Sequence, residues 1–251
     1  MDKGLITRRF SRAAASYEKE AAVQRRIAAT MTELLIAHVP VAEVERLLEI
    51  GCGTGIFSRM LHRTFSPSQM YLNDLCPEMA NSLTDLTDGN VRFLPGDAEK
   101  YAFHGKYNLI ASCSTLQWFK DLKVFFAKIH ALLPDDGVFA FSTFGKDNLK
   151  EIKTITGQGL SYLSLQELRS LLYENYEIVH ASEEHVRKTF RTPMEVLYHL
   201  KRTGVTGISQ PQPWTRERLQ RFYGEYNRMF AVGGLLPLTY HPIYIIAKRR
   251  M

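Results

Sequence analysis

The stretch Leu48-Glu-Ile-Gly51-Cys-Gly53-Thr-Gly55 constrains this chain more than any other segment. An apolar run, Arg46–Ile50, leads into it, and a helix-periodic stretch, Gly55–Thr64, leads out. Glycines at alternate positions let the backbone turn through positive φ and leave no Cβ between the main chain and an approaching ligand. The helix that follows opens with N–H groups that have no partner within the helix. A tight strand–turn–helix unit of this kind starts an α/β sheet and offers a ligand its first βα turn.

The rest of the chain continues that rhythm. Short apolar runs at Arg46–Ile50, Met70–Asn73, Val91–Leu94, Tyr107–Ser112 and Val138–Thr143 read as strands. Helical stretches at Gly55–Thr64, Pro77–Leu86 and Leu122–Leu133 lie between them, with Pro134 and Gly137 ending the last. This alternation predicts a doubly wound, mostly parallel α/β sheet, Rossmann-like in plan. Ahead of it, Val23, Ile27, Met31, Leu34 and Leu35 share one helical face, predicting a helix over Tyr17–Val39 capped by Ser16. Behind it, Ser164-Leu-Gln-Glu167 forms a capping box, Tyr176–Arg187 and Tyr240–Lys248 read as strands, and Thr192–Thr203 and Thr215–Phe230 as helices. The expected organisation is one domain over 1–251: an N-terminal helical lid (1–45), a core that binds the ligand (46–143), and a C-terminal half (144–251) with a helical insertion near 190–235.

Charge is unevenly placed. Residues 1–26 carry seven Lys/Arg against three Asp/Glu, residues 27–144 nine against thirteen, and residues 145–251 sixteen against ten. Basic flanks around a mildly acidic centre favour an acidic partner, with nucleic acid, an acidic protein and an anionic membrane all eligible on charge alone. The cysteines, Cys52, Cys76 and Cys113, are odd in number and widely spaced. That pattern gives neither a disulfide framework nor a zinc motif and fits a reducing compartment, so a cytoplasmic location is expected. The eight histidines show no ligand spacing, and no metal is expected. No apolar run approaches the ~18 residues of a membrane span, and MDKGLITRRFSR lacks the apolar region of a secretory signal.

Two details narrow the ligand. A dinucleotide fingerprint is G-x-G-x-x-G, but here Ile56 stands where its third glycine belongs. Tyr71-Leu-Asn-Asp74 ends the next strand with a carboxylate able to accept from both hydroxyls of a ribose, and Gly96-Asp97-Ala98 follows the third strand, within reach of an adenine edge. In these residues the chain resembles the nucleotide-binding half of the class I S-adenosylmethionine-dependent methyltransferases over roughly residues 46–143. The resemblance implies that Gly51, Gly53 and Gly55 meet the amino-acid part of S-adenosyl-L-methionine, Asp74 the ribose and Asp97 the adenine, with Glu49, Leu75, Ala98 and Ser114 beside them. Cys52 reads as a small residue whose backbone faces the ligand.

The segment after the fourth strand, Ala111-Ser-Cys-Ser-Thr-Leu-Gln117-Trp118-Phe119, lacks the Pro-Pro pair of methyltransferases that act on exocyclic base amines. Together with Phe10-Ser-Arg-Ala-Ala-Ala-Ser-Tyr17, Phe190 through Gly204 and Leu236-Pro-Leu-Thr-Tyr240, it is similar to the malonyl-acyl-carrier-protein O-methyltransferases of biotin synthesis. That resemblance implies methylation of the free malonyl carboxylate to its ester, S-adenosyl-L-homocysteine as second product, an acidic carrier protein as partner, and no nucleic-acid or membrane partner. A carboxylate with pKa near ~4 is ionised at pH 7 and needs no general base. Neutral donors orient such a nucleophile without blunting it, and Tyr17, Gln117, Trp118 and Tyr240 are the residues expected to meet the acceptor. Arg187, Lys188, Arg191, Lys201 and Arg202 are the expected carrier-docking set, Arg202 being also a possible ligand of the malonyl carboxylate or the phosphopantetheine phosphate. Methylation of another small acid, a quinone or RNA, and a cofactor-binding module without catalysis, stay open as alternatives.

Overall fold

The computed structural model describes residues 3–87, 89–204 and 214–250, and over 12–19 the backbone only. Helices α1 (Lys3–Glu20) and α2 (Ala22–His38) precede β1 (Arg46–Ile50). Then follow α3 (Ile56–Phe65), β2 (Gln69–Asp74), β3 (Val91–Pro95), β4 (Leu109–Cys113), α4 (Leu122–Leu132) and β5 (Val138–Phe144). The second half holds α5 (Lys150–Thr156), α6 (Leu165–Leu172), β6 (Tyr176–Glu183), β7 (Val186–Phe190), α7 (Pro193–Arg202), α8 (Arg216–Phe230), β8 (Leu236–Tyr240) and β9 (Pro242–Arg249).

Seven strands form one sheet in the order β3-β2-β1-β4-β5-β9-β6. The pairings from β3 to β5 are parallel, while β9 runs antiparallel to both β5 and β6. Alternate residues of each central strand feed opposite cores. Leu47, Leu109, Ala140 and Ile246 face the layer containing α2 and α3, where Val23, Ile27, Met31 and Leu35 are buried. Leu48, Ile110, Phe139, Phe141 and Ile245 face the other layer, with Phe125, Phe126 and Ile129 of α4 and Leu168 and Leu172 of α6. The sheet is therefore covered on both faces, as the alternation of strands and helices predicted. No helix of the described residues is long and apolar enough to cross a membrane.

Four local expectations change. The helix predicted from Tyr17 is two helices: Ala21 is buried with ψ 36° and divides α1 from α2, so Ser16 lies inside α1 and α2 has no side-chain cap. Periodicity misses this break because the apolar spacing it rests on, Val23 to Leu35, lies wholly within α2. Pro77–Leu86 forms only a 3₁₀ turn over Pro77–Ser82, because Met79, Leu83 and Leu86 are buried through successive turns rather than along one helix. The strand read over Tyr176–Arg187 splits at Glu184–His185, and its second half, β7, pairs with β8 in a separate two-stranded sheet. Finally, the strand read over Tyr240–Lys248 divides at His241: Tyr240 ends β8, and β9 starts at Pro242 inside the seven-stranded sheet.

Candidate active site

The parallel strands end together, and the glycine turn is fastened across them. The N–H groups of Gly51 and Cys52 donate to the Asn73 carbonyl at 2.7 and 3.0 Å, tying the turn to the end of β2. Asp74 completes the tie: Oδ2 accepts from the Gly53 N–H and Oδ1 from the Cys76 N–H, both at 2.8 Å. Gly53 has φ 53° and nothing within 4 Å of where a Cβ would stand, so its α-carbon faces open cleft. Burial raises the Asp74 carboxyl, and these two amide bonds act the other way.

Glu49, at the end of β1, is 1 % exposed, and its Oε2 has no hydrogen-bond partner among the described residues. Desolvation pushes its carboxyl up to about 8, opposed by the nearby Ser58 hydroxyl and reinforced by the charge of Asp74. A buried acid with one oxygen left unpartnered beside a cleft is suited to receive a cation. Cys52, in the same turn, has its thiol pushed upward by burial and by Asp74 and Glu49, so it is no thiolate nucleophile.

Helix α1 covers this region. Lys3, Ile6 and Phe10 line a cleft of about 1100 Å³ together with Glu49, the glycine turn, Asp74, Asp97 and Trp118. The Lys3 ammonium pairs with both Asp97 and Glu99, and Phe10 meets Trp118 edge-on at 5.6 Å. A second cavity of about 380 Å³ adjoins the cleft and shares Phe10, Gln24, Ser114 and Trp118 with it. Ser114 stands at the junction with φ 55°, held there by its N–H to the Ser142 carbonyl at 3.0 Å and to Ser142 Oγ at 3.1 Å. A non-glycine residue in that region is strained by ~1–3 kcal/mol, a cost met at functional junctions.

The cleft brings together Glu49, Gly51, Gly53, Asp74, Leu75, Asp97, Ala98 and Ser114. Gly55 is the exception, because it caps α3 with its α-carbon toward Leu83 and Arg59. Gln117, Trp118 and Tyr240 line the second cavity. The side chain of Tyr17 lies outside the described residues. Gln117 is partly committed, donating from Nε2 to the Ser114 carbonyl at 2.6 Å. Tyr240 Oη lies 2.7 Å from Nε2 of buried His199, whose pKa burial lowers to about 4, so the imidazole is neutral. Of the basic residues, Arg187, Arg191, Lys201 and Arg202 are exposed, Lys188 lies over the Phe190 ring, and Arg202 pairs with Glu20 at 2.7 Å. None of these five lines either cavity.

Sequence reasoning missed Lys3, Gln24, Asn148, Tyr162 and Thr203 as lining residues. Lys3, Gln24, Asn148 and Tyr162 come from segments with no motif of their own, Thr203 from the end of the Phe190–Gly204 segment, and only packing carries them to the strand ends. It also missed a grouping of Asp147, His185 and His241. These side chains are already engaged: His185 Nε2 meets Asp147 Oδ2 at 2.9 Å, His241 Nδ1 accepts the Asp147 N–H, and the two imidazoles stack at 4.3 Å.

The profile of a methyltransferase domain matches residues 10–187. The malonyl-[acyl-carrier protein] O-methyltransferase of Bacteroides thetaiotaomicron is 48 % identical over 100 % of this chain and 99 % of its own length. The chain belongs to this methyltransferase family. A relative of the same description from Bacteroides fragilis is 52 % identical over 99 % of the chain, which spans only 51 % of that longer protein. Among solved structures, magnesium protoporphyrin IX methyltransferase from Synechocystis, with S-adenosylhomocysteine bound, superimposes with a TM-score of 0.57 at 17 % identity, covering 92 % of this chain and 86 % of its own. The fold is accordingly that of an S-adenosylmethionine-dependent methyltransferase, and the strand-end cleft is where such a fold takes its ligand.

Proposed function

We propose that this methyltransferase esterifies the free carboxylate of a malonyl group carried on acyl carrier protein, an early step towards pimeloyl and biotin. The observation that carries the reading is a pair of adjoining cavities that share Phe10, Gln24, Ser114 and Trp118, one walled by the glycine turn, Asp74 and Asp97, the other by neutral polar side chains and aromatic rings. The residues fit the donor: open space over Gly53, acceptors on Asp74, and an orphaned acid at Glu49 for the ammonium group. Bound there, S-adenosyl-L-methionine supplies a sulfonium methyl whose transfer to a carboxylate oxygen cancels one positive and one negative charge. The acceptor is already ionised, so the side chains have no proton to remove. Their work is alignment and exclusion of water, with Phe10 and Trp118 forming the apolar wall where the cavities meet. Tyr17, Gln117, Trp118 and Tyr240 orient the acceptor, and the exposed Arg187, Arg191, Lys201 and Arg202, with Lys188 beside them, receive the acidic carrier.

The test uses methyl-labelled S-adenosylmethionine with malonyl-loaded carrier, a free dicarboxylic acid and RNA in parallel. Base-labile label on the carrier is the expected result. Label on either other acceptor, or binding without transfer, overturns the proposal.

Donor binding should also depend on pH. The Glu49 carboxyl, raised to about 8, holds a proton in the free protein at neutral pH. An ammonium group beside it favours the carboxylate, so binding expels that proton and tightens as pH rises. Calorimetric Kd should fall by up to about tenfold per pH unit between pH 6 and 8, with close to one proton released. Glu49→Gln should flatten the profile. In the free protein the same shift makes stability fall as pH rises from ~4.3, where the unfolded chain's Glu ionises, to about 8.

A further inference from the structure

We propose that Tyr162 is a further acceptor-binding residue, its phenol donating to the acceptor carboxylate, and that Asn148 is the positioning residue that turns the phenol's proton toward it. The inference rests on the carboxylate reading above and adds a donor that no sequence motif marks. Tyr162 and Asn148 both line the second cavity, beside Ser114, Gln117, Trp118 and Tyr240.

The direction of each hydrogen bond follows from one group that has no choice. The backbone N–H of His241 can only donate, and it points at Asn148 Oδ1 at 3.3 Å. That fixes the Asn148 amide: its oxygen is the acceptor, so its Nδ2 is the atom facing Tyr162 Oη, at 2.9 Å. An amide nitrogen only donates, so the Tyr162 oxygen accepts here and its own O–H is unspent. Among the described residues that O–H meets no acceptor. Asn148 is 2 % exposed, which leaves it no water-facing alternative. Burial pushes the Tyr162 phenol up to about 12, keeping it a neutral donor through the physiological range.

Tyr240 differs. Its hydroxyl lies 2.7 Å from His199 Nε2, and which of the two donates depends on the imidazole tautomer. His199 Nδ1 is buried with no hydrogen-bond partner among the described residues, Glu20 Oε2 standing 3.8 Å away, so no neighbour fixes that tautomer. Tyr162 is thus the phenol in this cavity whose free proton is dictated by fixed geometry. A neutral phenol suits the task, because it can hold one carboxylate oxygen without neutralising the nucleophile as an Arg pair would.

The experiment compares Tyr162→Phe and Asn148→Asp with the unsubstituted protein. Tyr162→Phe should lower kcat/KM for malonyl-loaded carrier by about 10-fold to 100-fold, the range for one hydrogen bond to a charged group. Its affinity for S-adenosylhomocysteine should stay unchanged, while its Tm should fall by a few degrees because the buried Asn148 Nδ2 loses its acceptor. In the presence of that product, its affinity for malonyl-loaded carrier should fall by a similar factor, while affinity for the carrier-bound methyl ester should change less than about twofold, the ester being uncharged. Asn148→Asp places an acceptor where the Asn148 amide donates, turns the phenol's proton inward, and should reproduce the loss; combined with Tyr162→Phe it should add little. Unchanged kcat/KM in Tyr162→Phe, or equal loss of affinity for acid and ester, overturns the role and leaves a packing aromatic. If the unsubstituted protein methylates no malonyl carrier at all, the carboxylate reading itself falls and this inference with it.

Discussion

Asp74→Ala is expected to weaken S-adenosylmethionine binding at least a hundredfold, measured by calorimetry. The carboxylate already holds the N–H groups of Gly53 and Cys76, one on each oxygen, at 2.8 Å. A carboxylate oxygen can accept more than one hydrogen bond, and Asp74 lines the cleft where a ribose would offer its hydroxyls. Hydrogen bonds to a charged group contribute ~1.5–3 kcal/mol each, so losing two gives about a hundredfold or more. The substitution also frees the glycine turn from β2, which adds to the loss. Asp74→Asn keeps one accepting oxygen and should fall between the two. A folded Asp74→Ala protein that binds the donor within about tenfold of the original would remove Asp74 from the site.

Gly51→Ala and Gly53→Ala should fail in different ways, although both residues belong to the same turn. A Cβ on Gly51 would stand 2.2 Å from Thr115 Cγ2 and 2.3 Å from its Oγ1, at a φ of 74°. The left-handed conformation costs alanine ~1–2 kcal/mol. Overpacking against Thr115 adds ~1–3 kcal/mol. Tm should therefore drop by about 10 °C, and donor binding should vanish as the turn moves. Gly53 has nothing within 4 Å of its absent Cβ. Alanine there pays only the backbone cost, so Tm should change by a few degrees at most (about 1–2 kcal/mol), while the methyl group occupies the cleft and donor affinity falls by tenfold or more. Equal stability loss in the two variants would contradict the assignment of Gly51 to packing and Gly53 to the ligand.

The two-sided sheet was legible because burial on both faces leaves near-continuous apolar runs, such as Val138–Phe144, all of whose residues are buried. The glycine turn, Asp74 and Asp97 were legible for a related reason: they sit within a few residues of strand ends, so sequence order alone carries them to one edge. The break at Ala21 was not legible, since the apolar spacing that marks the helix begins at Val23, after it. The position of β9 inside the sheet was not legible either, because antiparallel insertion depends on which edge is vacant rather than on the strand's own residues.

By itself, then, the sequence determined the strand–turn–helix unit, the spacing of its carboxylates and the family to which they point, all properties of neighbouring residues. Only the tertiary structure decided what closes the cleft and what faces the acceptor. Lys3, Gln24 and Tyr162 come from three distant segments, and Tyr162 acquires its free proton from a backbone N–H at His241 that lies far along the chain. Direction of a hydrogen bond is set by the partner, and the partner is known only once the chain has packed.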